Sequence, residues 1–309
     1  MNLLYNKIMK YIIKNYKKII YNNMYYIGWE ALFMNKADKI FKETMIKILE
    51  EGTKDEGPRP YYPSDNSPAH STFITHQVHT YDISKGELPI ITLRPIAIKN
   101  AIKEILWIYQ DQTSSLDVLK NKYNIHWWDE WESKDRPGTI GQRYGATVKK
   151  HNLMNNLLDE IKKNPYGRRH IMSLWQEEDF KETDGLKPCA YETIWTVRGE
   201  YLDMSLTQRS SDFIVAGHIN GMQYVALLMM VARHCGLKPG KFTHYIINLH
   251  LYDRHEENAK LMIEREAIDC EPKLILNPEK TDFYSFTIDD FELVGYESVK
   301  PQLKFELAI

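Results

Sequence analysis

One cysteine and one arginine carry the most reactive chemistry that the sequence suggests. Residues 191–197 and 201–208 are predicted to be extended, because apolar and polar residues alternate in the second segment as in a half-buried strand. Gly199 between them supplies the backbone freedom of a tight turn. A hairpin folded about this glycine places Cys189 opposite Arg209, within one step of register. A neighbouring guanidinium lowers the pKa of a thiol, and the thiolate is the nucleophile, so this end of the hairpin is a candidate site.

The residues after the second extended segment favour a pocket at this position. The polar run 208–212 leads to residues 219–235, which are apolar on nearly every face and predict a buried helix ended by Gly236. A buried helix behind a polar, cationic strand end forms the floor of a pocket. Taken singly, a cysteine is more often a small buried hydrophobe, and such a polar run is often a solvated turn. Their position at one end of one hairpin is what favours a site.

Composition predicts one large globular domain in a reducing compartment. The 309 residues can bury an extensive core, and no linker, repeat or low-complexity tract follows residue 35, so a single domain is predicted over residues 36–309. A net charge of −2 disfavours general nucleic-acid binding. The three cysteines have no metal-ligand spacing and suggest no disulfide framework, so we expect no metal and a cytoplasmic location. No segment is expected to be long and apolar enough to span a membrane.

The first 35 residues form a separate, basic segment. Its lysines precede the first acidic residue, Glu30, and its isoleucines and leucines suggest an amphipathic helix. Lysines interrupt every apolar run, which argues against a signal peptide. Three interpretations stay open: a helix that binds a membrane surface or RNA, a helix packed on the body of the protein, or a start codon upstream of a true start near Met34.

Further elements are predicted around the hairpin. Apolar residues at helical spacing predict a helix over residues 35–51 and another that Pro95 opens. Glu104 lies at the flank of the second helix's apolar stripe and, taken alone, is typical of a surface acid. His250 and Tyr252 are two apart on a predicted strand and therefore share a face. The remaining predictions are strands at 72–81, 88–93, 170–175 and 242–251, a helix ending near residue 164, and a helix from Asp253 to about residue 266.

These motifs together resemble the thymidylate synthase family. The resemblance is carried first by Lys187-Pro188-Cys189-Ala190-Tyr191-Glu192-Thr193, Gln208-Arg209-Ser210-Ser211-Asp212 and Asn220. In order and spacing it continues through Arg168-Arg169-His170, Trp128-Asp129-Glu130-Trp131, Tyr144-Gly145, His250-Leu251-Tyr252 and the end Ala308-Ile309. It covers residues 36–309 and does not depend on a single motif.

The resemblance implies a fold and a reaction. The expected fold is α/β (α+β), with a large, mostly β-sheet layer flanked by helices, and with sheets packed together in a homodimer that shares its active sites. The expected reaction is a folate-dependent one-carbon transfer to C5 of a pyrimidine nucleoside monophosphate through a covalent Cys189 adduct. In the family, dUMP and 5,10-methylenetetrahydrofolate become dTMP and dihydrofolate. A pyrimidine nucleotide and a reduced folate are the expected partners, without membrane or nucleic acid.

The resemblance also implies roles for individual residues. Those expected to take part in the chemistry are Cys189, Glu104, Tyr144 and Arg209. Those expected to bind the nucleotide are Arg59, Arg168, Arg169, Gln208, Ser210, Asn220, His250 and Tyr252, with Arg168 and Arg169 crossing to the neighbouring subunit's site. Those expected to bind folate are Trp128, Asp212 and Ala308.

Departures from the family pattern leave substrate and product open. They are Ala216-Gly217-His218-Ile219-Asn220 in place of Gly-x-Pro-Phe-Asn, Ile246-Ile247-Asn248-Leu249 in place of a glycine pair followed by Asp, and Pro95 and Ala97 where basic or polar residues are common. The alternative is a related hydroxymethylase, which makes a 5-hydroxymethyl nucleotide from dUMP, dCMP or CMP and releases tetrahydrofolate. A more remote alternative is an inactive scaffold or RNA-binding homologue, against which the retained Cys189 and Arg209 argue.

Overall fold

A six-stranded sheet forms the centre of this computed structural model, which describes residues 34–58 and 60–309. The large sheet has the order β1-β4-β8-β7-β6-β5, and its neighbours are antiparallel except for β7 and β8, which run parallel. Two separate antiparallel pairs are β2 with β3 and β9 with β10. The strands of the described residues are β1 (Thr53–Lys54), β2 (Tyr61–Tyr62), β3 (Ser67–Pro68), β4 (Ser71–Asp82), β5 (Ile171–Ser173), β6 (Ala190–Arg198), β7 (Tyr201–Asp212), β8 (Lys238–Tyr252), β9 (Lys273–Leu276) and β10 (Phe291–Val294).

Helices flank the sheet, as the expected fold class requires. Those of the described residues are α1 (Lys36–Glu51), α2 (Ile98–Ile105), α3 (Leu116–Tyr123), α4 (Gly145–Lys150), α5 (Leu153–Lys163), α6 (Glu177–Glu182), α7 (His218–His234) and α8 (Glu256–Glu264). Helix α1 begins where the Asn35 side chain accepts the N–H of Asp38, and it ends at Gly52, as predicted. Residues Asn35–Ile309 form one compact unit. The basic segment expected over residues 1–35 lies, up to residue 33, outside the described residues.

Helix α7 is the buried floor that the sequence predicts. It packs against α2 and β8, and Gly236 just beyond its end has a φ of 70°. With the turn before it, this helix makes a segment, Phe213–His234, that is long and apolar enough to cross a membrane, so the expectation that no segment qualifies is wrong. Because 78% of the apolar window in that segment is buried inside the fold, the segment is a core helix.

The hairpin of β6 and β7 has the predicted pairing at its open end. Its turn is tight, since Arg198 already pairs with Tyr201. This turn moves the pairing one residue away from the predicted register. A register shift next to Ala190 restores the predicted pairing near the open end. There the N–H of Arg209 donates to the carbonyl of Cys189 at 2.9 Å, which confirms that the two residues face each other.

Residues 88–93 are irregular, and the predicted strand there is wrong. Their apolar side chains are buried, but their backbone bonds mainly to side chains, and to the backbone of Val299, in place of a neighbouring strand. The buried Asp38 carboxylate accepts the N–H of Thr92 at 2.7 Å and the Thr92 hydroxyl at 2.8 Å. The Tyr296 hydroxyl donates to the carbonyl of Ile91 at 3.0 Å. Burial without a strand ladder therefore produces the same apolar pattern as a buried strand.

Two predicted boundaries also move. The helix expected from Pro95 begins at Ile98, and the Pro95 carbonyl before it accepts from the side chains of Arg94 and Gln302 at 3.2 and 2.9 Å. The strand expected over 170–175 is regular only over Ile171–Ser173.

Candidate active site

A pocket opens at the end of the hairpin where β6 begins and β7 ends, against α2 and α7. Six of the predicted site residues meet there, at the end of the fold where the hairpin opens. The lining residues are Glu104, Ile105, Ile108, Trp128, Tyr144, Cys189, Ala190, Gln208, Asn220, Gln223 and Tyr224. The hairpin, the buried floor and the helix that carries Glu104 thus converge as the sequence predicts.

Cys189 lies beside a cation. Nη2 of Arg209 is 3.5 Å from Sγ of the half-buried cysteine. The same guanidinium donates to the carbonyls of Pro188 and Lys187, at 3.0 and 2.8 Å, and so fixes the chain that delivers the cysteine. A positive charge at this distance stabilises an anionic sulfur.

Tyr144 touches the same cysteine from the other side. Its hydroxyl accepts the backbone N–H of Cys189 at 3.1 Å, and its ring packs edge-on against Trp128, with centroids 5.2 Å apart. Its φ is 46°, an unusual conformation for a bulky side chain. Burial raises the pKa of Tyr144 well above its ordinary value, so the phenol stays protonated. Unusual backbone conformations of this kind gather at functional sites.

Glu104 is buried, and the surface interpretation of its sequence position is wrong. Its Oε1 accepts the indole N–H of Trp128 at 3.0 Å. Burial raises the pKa of Glu104 to about 7, against hydrogen bonds from Trp128, Trp127 and Gln223 that lower it. A carboxyl that titrates near neutrality beside a nucleophile suits proton transfer.

Two amides lie next to the cysteine. Nε2 of Gln208 donates to the carbonyl of Ser210 at 2.9 Å and to Oδ1 of Asn220 at 3.1 Å. Nδ2 of Asn220 donates to Oε1 of Gln223 at 2.9 Å. One N–H and one lone pair of the Asn220 amide are therefore not used in these two hydrogen bonds.

His250 and Tyr252 share a region at the end of β8, as predicted. Their rings meet edge-on at 5.0 Å, and Nδ1 of His250 bonds Oδ1 of Asn248 at 3.0 Å. Burial lowers the pKa of His250 to about 4, so the imidazole is neutral. Neither residue is among those that line the pocket around Cys189.

Asp212 is largely buried, and one of its carboxyl oxygens accepts no hydrogen bond in the described structure. Its side chain is only 15% exposed, and its Oδ1 has no hydrogen-bond partner among residues 34–58 and 60–309. Burial raises the pKa of Asp212 to about 7, against the Val215 backbone and the Arg94 charge. A buried carboxylate oxygen without a donor fits the ring N–H groups of a folate.

The chain end is anchored near β2. Ile309 and Tyr61 exchange two backbone hydrogen bonds of 3.0 and 2.9 Å. Arg254 pairs with Glu306 at 2.6 Å. These contacts hold Ala308 in an ordered tail, outside the residues that line the pocket around Cys189.

The predicted phosphate arginines are not all in this pocket. Arg168 and Arg169 are exposed at the start of β5, and neither guanidinium forms an ion pair within the described chain. Arg59 lies outside the described residues. Ser210 is half-buried two residues after Gln208 on β7.

Sequence reasoning missed several polar residues of the site. Gln223 lies one helical turn after Asn220, but the apolar pattern of α7 concealed it. The Tyr224 hydroxyl bonds that of Tyr109 at 3.0 Å. His244 bonds Gln208 across two strands, a contact that no local pattern predicts.

This site and fold define an enzyme, since a mixed α/β scaffold brings a thiol, a carboxyl group whose pKa is raised to about 7 and side-chain amides together in one pocket. The thymidylate synthase family model matches residues 39–309. Thymidylate synthases of Streptococcus thermophilus (strain ATCC BAA-491 / LMD-9) and Streptococcus sanguinis (strain SK36) are 56% and 57% identical, over 89% of this chain and 100% of each relative. The solved structure of thermostable thymidylate synthase A from Bacillus subtilis has a TM-score of 0.82 and 37% identity, over 88% of this chain and 99% of that one. The chain therefore belongs to the thymidylate synthase family of methyltransferases. The expected family and fold class are confirmed.

Proposed function

We propose that this chain converts dUMP and 5,10-methylenetetrahydrofolate into dTMP and dihydrofolate. The observation that carries the proposal is the position of Cys189, whose sulfur lies 3.5 Å from Nη2 of Arg209 in a pocket that also holds Glu104 and Asn220. The identity to curated thymidylate synthases, 56% and 57%, supports the methyl product over the hydroxymethyl product.

The reaction begins with attack on the pyrimidine. The Cys189 thiolate adds to C6 of uracil, and the electron pair of the C5–C6 double bond moves onto C5 and O4 as an enolate. Asn220 offers its spare N–H to O4 and its spare lone pair to the N3–H. When bound, methylenetetrahydrofolate supplies both the carbon and the hydride of the new methyl group. C5 bonds to that carbon and loses its proton, and the carbon's bond to the folate nitrogen breaks. Addition of the hydride to the carbon, with cleavage of the carbon–sulfur bond at C6, then restores the ring and the thiolate.

Glu104 moves the protons that this sequence of steps requires. Its pKa of about 7 lets it hold a proton toward the developing O4 anion and release one again at working pH. Tyr144 stays protonated and keeps the Cys189 backbone in place through the 3.1 Å hydrogen bond.

The remaining nucleotide contacts are divided between phosphate and sugar. Arg209, Ser210 and Arg59 bind the phosphate, together with Arg168 and Arg169 from the second subunit. His250 and Tyr252 hold the sugar hydroxyl, which the neutral imidazole of His250 suits. Gln208 orients Asn220.

Folate binding uses a second set of residues. Asp212 offers its partnerless oxygen to ring N–H groups, and Trp128 offers an apolar wall beside the pocket. The tail with Ala308 closes over the bound folate and excludes water.

A homodimer is part of the proposal, and one exposed sheet face supports it. Ile171 pairs with Ile194 on neighbouring strands, and they are 51% and 39% exposed. Val78, 58% exposed, lies on the same face of β4, opposite Tyr245. Apolar side chains on an open sheet face are typical of an interface between copies. Ile194→Lys is expected to yield monomers in light scattering and to abolish turnover; a variant that stays dimeric would contradict this interface.

Cytoplasmic location is also part of the proposal. It is supported by Cys189, Cys235 and Cys270, none of which is in a disulfide in the described structure.

The hydroxymethylase alternative rests on several departures, and the one nearest to Asn220 points away from the pocket. His218, the main change before Asn220, is buried, and its Nδ1 lies 3.2 Å from the carbonyl of Pro89. Asn220 still lines the pocket with its amide oriented by Gln208 and Gln223. No described contact around the cysteine favours the hydroxymethyl product.

One incubation tests the proposal. The full chain is mixed with methylenetetrahydrofolate and dUMP, dCMP or CMP, while dihydrofolate absorbance and nucleotide mass are recorded. We expect dihydrofolate and a methyl mass gain with dUMP alone. A hydroxymethyl mass gain without folate oxidation would establish the alternative, and no reaction with any nucleotide would contradict both.

A further inference from the structure

The direction of the amides in the pocket can be assigned from a single backbone carbonyl. The carbonyl of Ser210 can only accept, so the Gln208 atom 2.9 Å from it must be the NH2 group. The other end of that amide, Oε1, therefore faces Nε2 of His244 at 2.7 Å. Since Oε1 is only an acceptor, Nε2 of His244 must carry the proton.

The same direction continues into the pocket. The second N–H of Gln208 meets Asn220, so the Asn220 atom at 3.1 Å is Oδ1. Nδ2 of Asn220 then faces Oε1 of Gln223 at 2.9 Å, and Gln223 in turn bonds the Glu104 carboxylate. Every hydrogen bond in this series is donated in the direction that leads from His244 toward Glu104.

His244 is not among the residues that line the pocket, but it donates the first hydrogen bond of this series. It is 3% exposed on β8, beside Leu206 of β7 and opposite His79 of β4. Burial, together with His79 and His218, lowers the pKa of His244 to about 3, so the ring is neutral and has one N–H to give. That single N–H is used on Gln208.

We propose that His244 is a positioning residue that sets base selection, because its N–H locks the direction of the Gln208 and Asn220 amides. The inference rests on the proposed function, in which Asn220 reads the base. In the observed direction Asn220 offers a donor to O4 and an acceptor to N3–H, which is the pattern of uracil. Cytosine presents a donor at N4 and an acceptor at N3, so it requires the opposite amide orientation.

Turning the Asn220 amide over is costly while His244 donates. In the turned orientation, the NH2 group of Asn220 would face the NH2 group of Gln208, and the oxygen of Asn220 would face Oε1 of Gln223. If Gln208 turned as well, its oxygen would meet the Ser210 carbonyl, and its NH2 group, which cannot accept a hydrogen bond, would face the His244 N–H. Without the His244 N–H, Oε1 of Gln208 has no partner in the interior, and the Ser210 carbonyl alone holds the direction of the amide pair.

The test compares nucleotide selectivity in matched variants. His244→Phe keeps a buried ring but removes the N–H, and the dissociation constants of dUMP and dCMP are measured by competition. We expect the preference for dUMP over dCMP to fall about tenfold or more, the size of one buried hydrogen bond. His79→Phe, which removes the neighbouring buried imidazole without touching Gln208, should leave the preference unchanged. His244→Gln restores a donor and should recover part of it.

Equal weakening of both nucleotides in His244→Phe, or the same ratio as in His79→Phe, would overturn the proposal. If His244→Phe does not fold, the protonation of His244 in the unmodified protein tests the proposal instead. Histidine labelled with nitrogen-15 should show a neutral His244 ring, assigned with His244→Gln, with its proton on Nε2; a proton on Nδ1 would overturn the proposal. Failure of the proposed function is a separate result, seen when the unmodified protein makes no dTMP from dUMP.

Discussion

Nη2 of Arg209 on β7 lies 3.5 Å from Sγ of Cys189, the residue just before β6. The contact joins two roles, since the guanidinium also donates to the carbonyls of Lys187 and Pro188. Charge at the sulfur and the path of the chain before it therefore depend on one side chain.

Arg209→Gln should remove both effects. We expect kcat/KM for dUMP to fall by about a hundredfold or more, since a hydrogen-bonded charge at a reacting centre is worth about 3 kcal/mol. Alkylation of Cys189 by iodoacetamide at neutral pH should slow as well. The matched control is Arg198→Gln at the other end of the hairpin, where the guanidinium pairs with Asp203 on the surface. Loss of activity in both variants would contradict a local role for Arg209.

The pH dependence of kcat should follow Glu104. Burial raises its pKa to about 7, so an inflection is expected near pH 7, and Glu104→Gln should remove it and lower kcat by about 10² to 10⁴-fold. Trp128→Phe removes a hydrogen bond that lowers this pKa, so the inflection should move to higher pH. Trp131→Phe serves as control, because Trp131 packs on Trp128 but makes no hydrogen bond to Glu104 in the described structure. A pH profile that is unchanged in Trp128→Phe would assign the inflection to another group.

Asp38 should make the stability of the fold depend on pH. Burial raises its pKa from 3.8 to about 6, against hydrogen bonds from Thr92. The folded protein thus holds this proton more tightly than the unfolded chain, and the stabilisation is complete below pH 4 and is lost as pH rises through 6. The loss amounts to about 3 kcal/mol.

Asp38→Asn tests this assignment because the amide has no proton to lose. We compare the free energies of unfolding of Asp38→Asn and the parent, both measured by urea unfolding. The value of the variant minus that of the parent should increase by about 3 kcal/mol between pH 4 and pH 7. A difference that stays constant over that range would show that Asp38 does not titrate with folding.

The hairpin shows how much of the site the sequence could predict. Alternation in one strand and Gly199 in the turn predicted Cys189 opposite Arg209 to within one step of register. The shift next to Ala190 that restores this pairing is not contained in the local pattern. The buried floor followed in the same way from the unbroken apolar run of α7.

The remaining features depend on contacts that local pattern does not contain. Residues 88–93 have the apolar run of a strand, but Asp38, far away in sequence, takes the place of the neighbouring strand. The sequence position of Glu104 is typical of a surface acid, but in the fold Trp128, from a distant loop, donates a hydrogen bond to it and it is buried. His244 reaches Gln208 only because β7 and β8 pair in parallel, a pairing that the chain order does not reveal.

The most direct measurement is dTMP formation from dUMP and methylenetetrahydrofolate by Cys189→Ser beside Cys235→Ser. Cys235 is a suitable control because it is a half-buried thiol far from the pocket, with its pKa raised to about 11 by burial. We predict that Cys235→Ser keeps the parent rate, while Cys189→Ser folds, binds dUMP and loses at least about 10³-fold in kcat, since a serine hydroxyl is a far weaker nucleophile. Undiminished turnover by Cys189→Ser would contradict covalent catalysis by this cysteine.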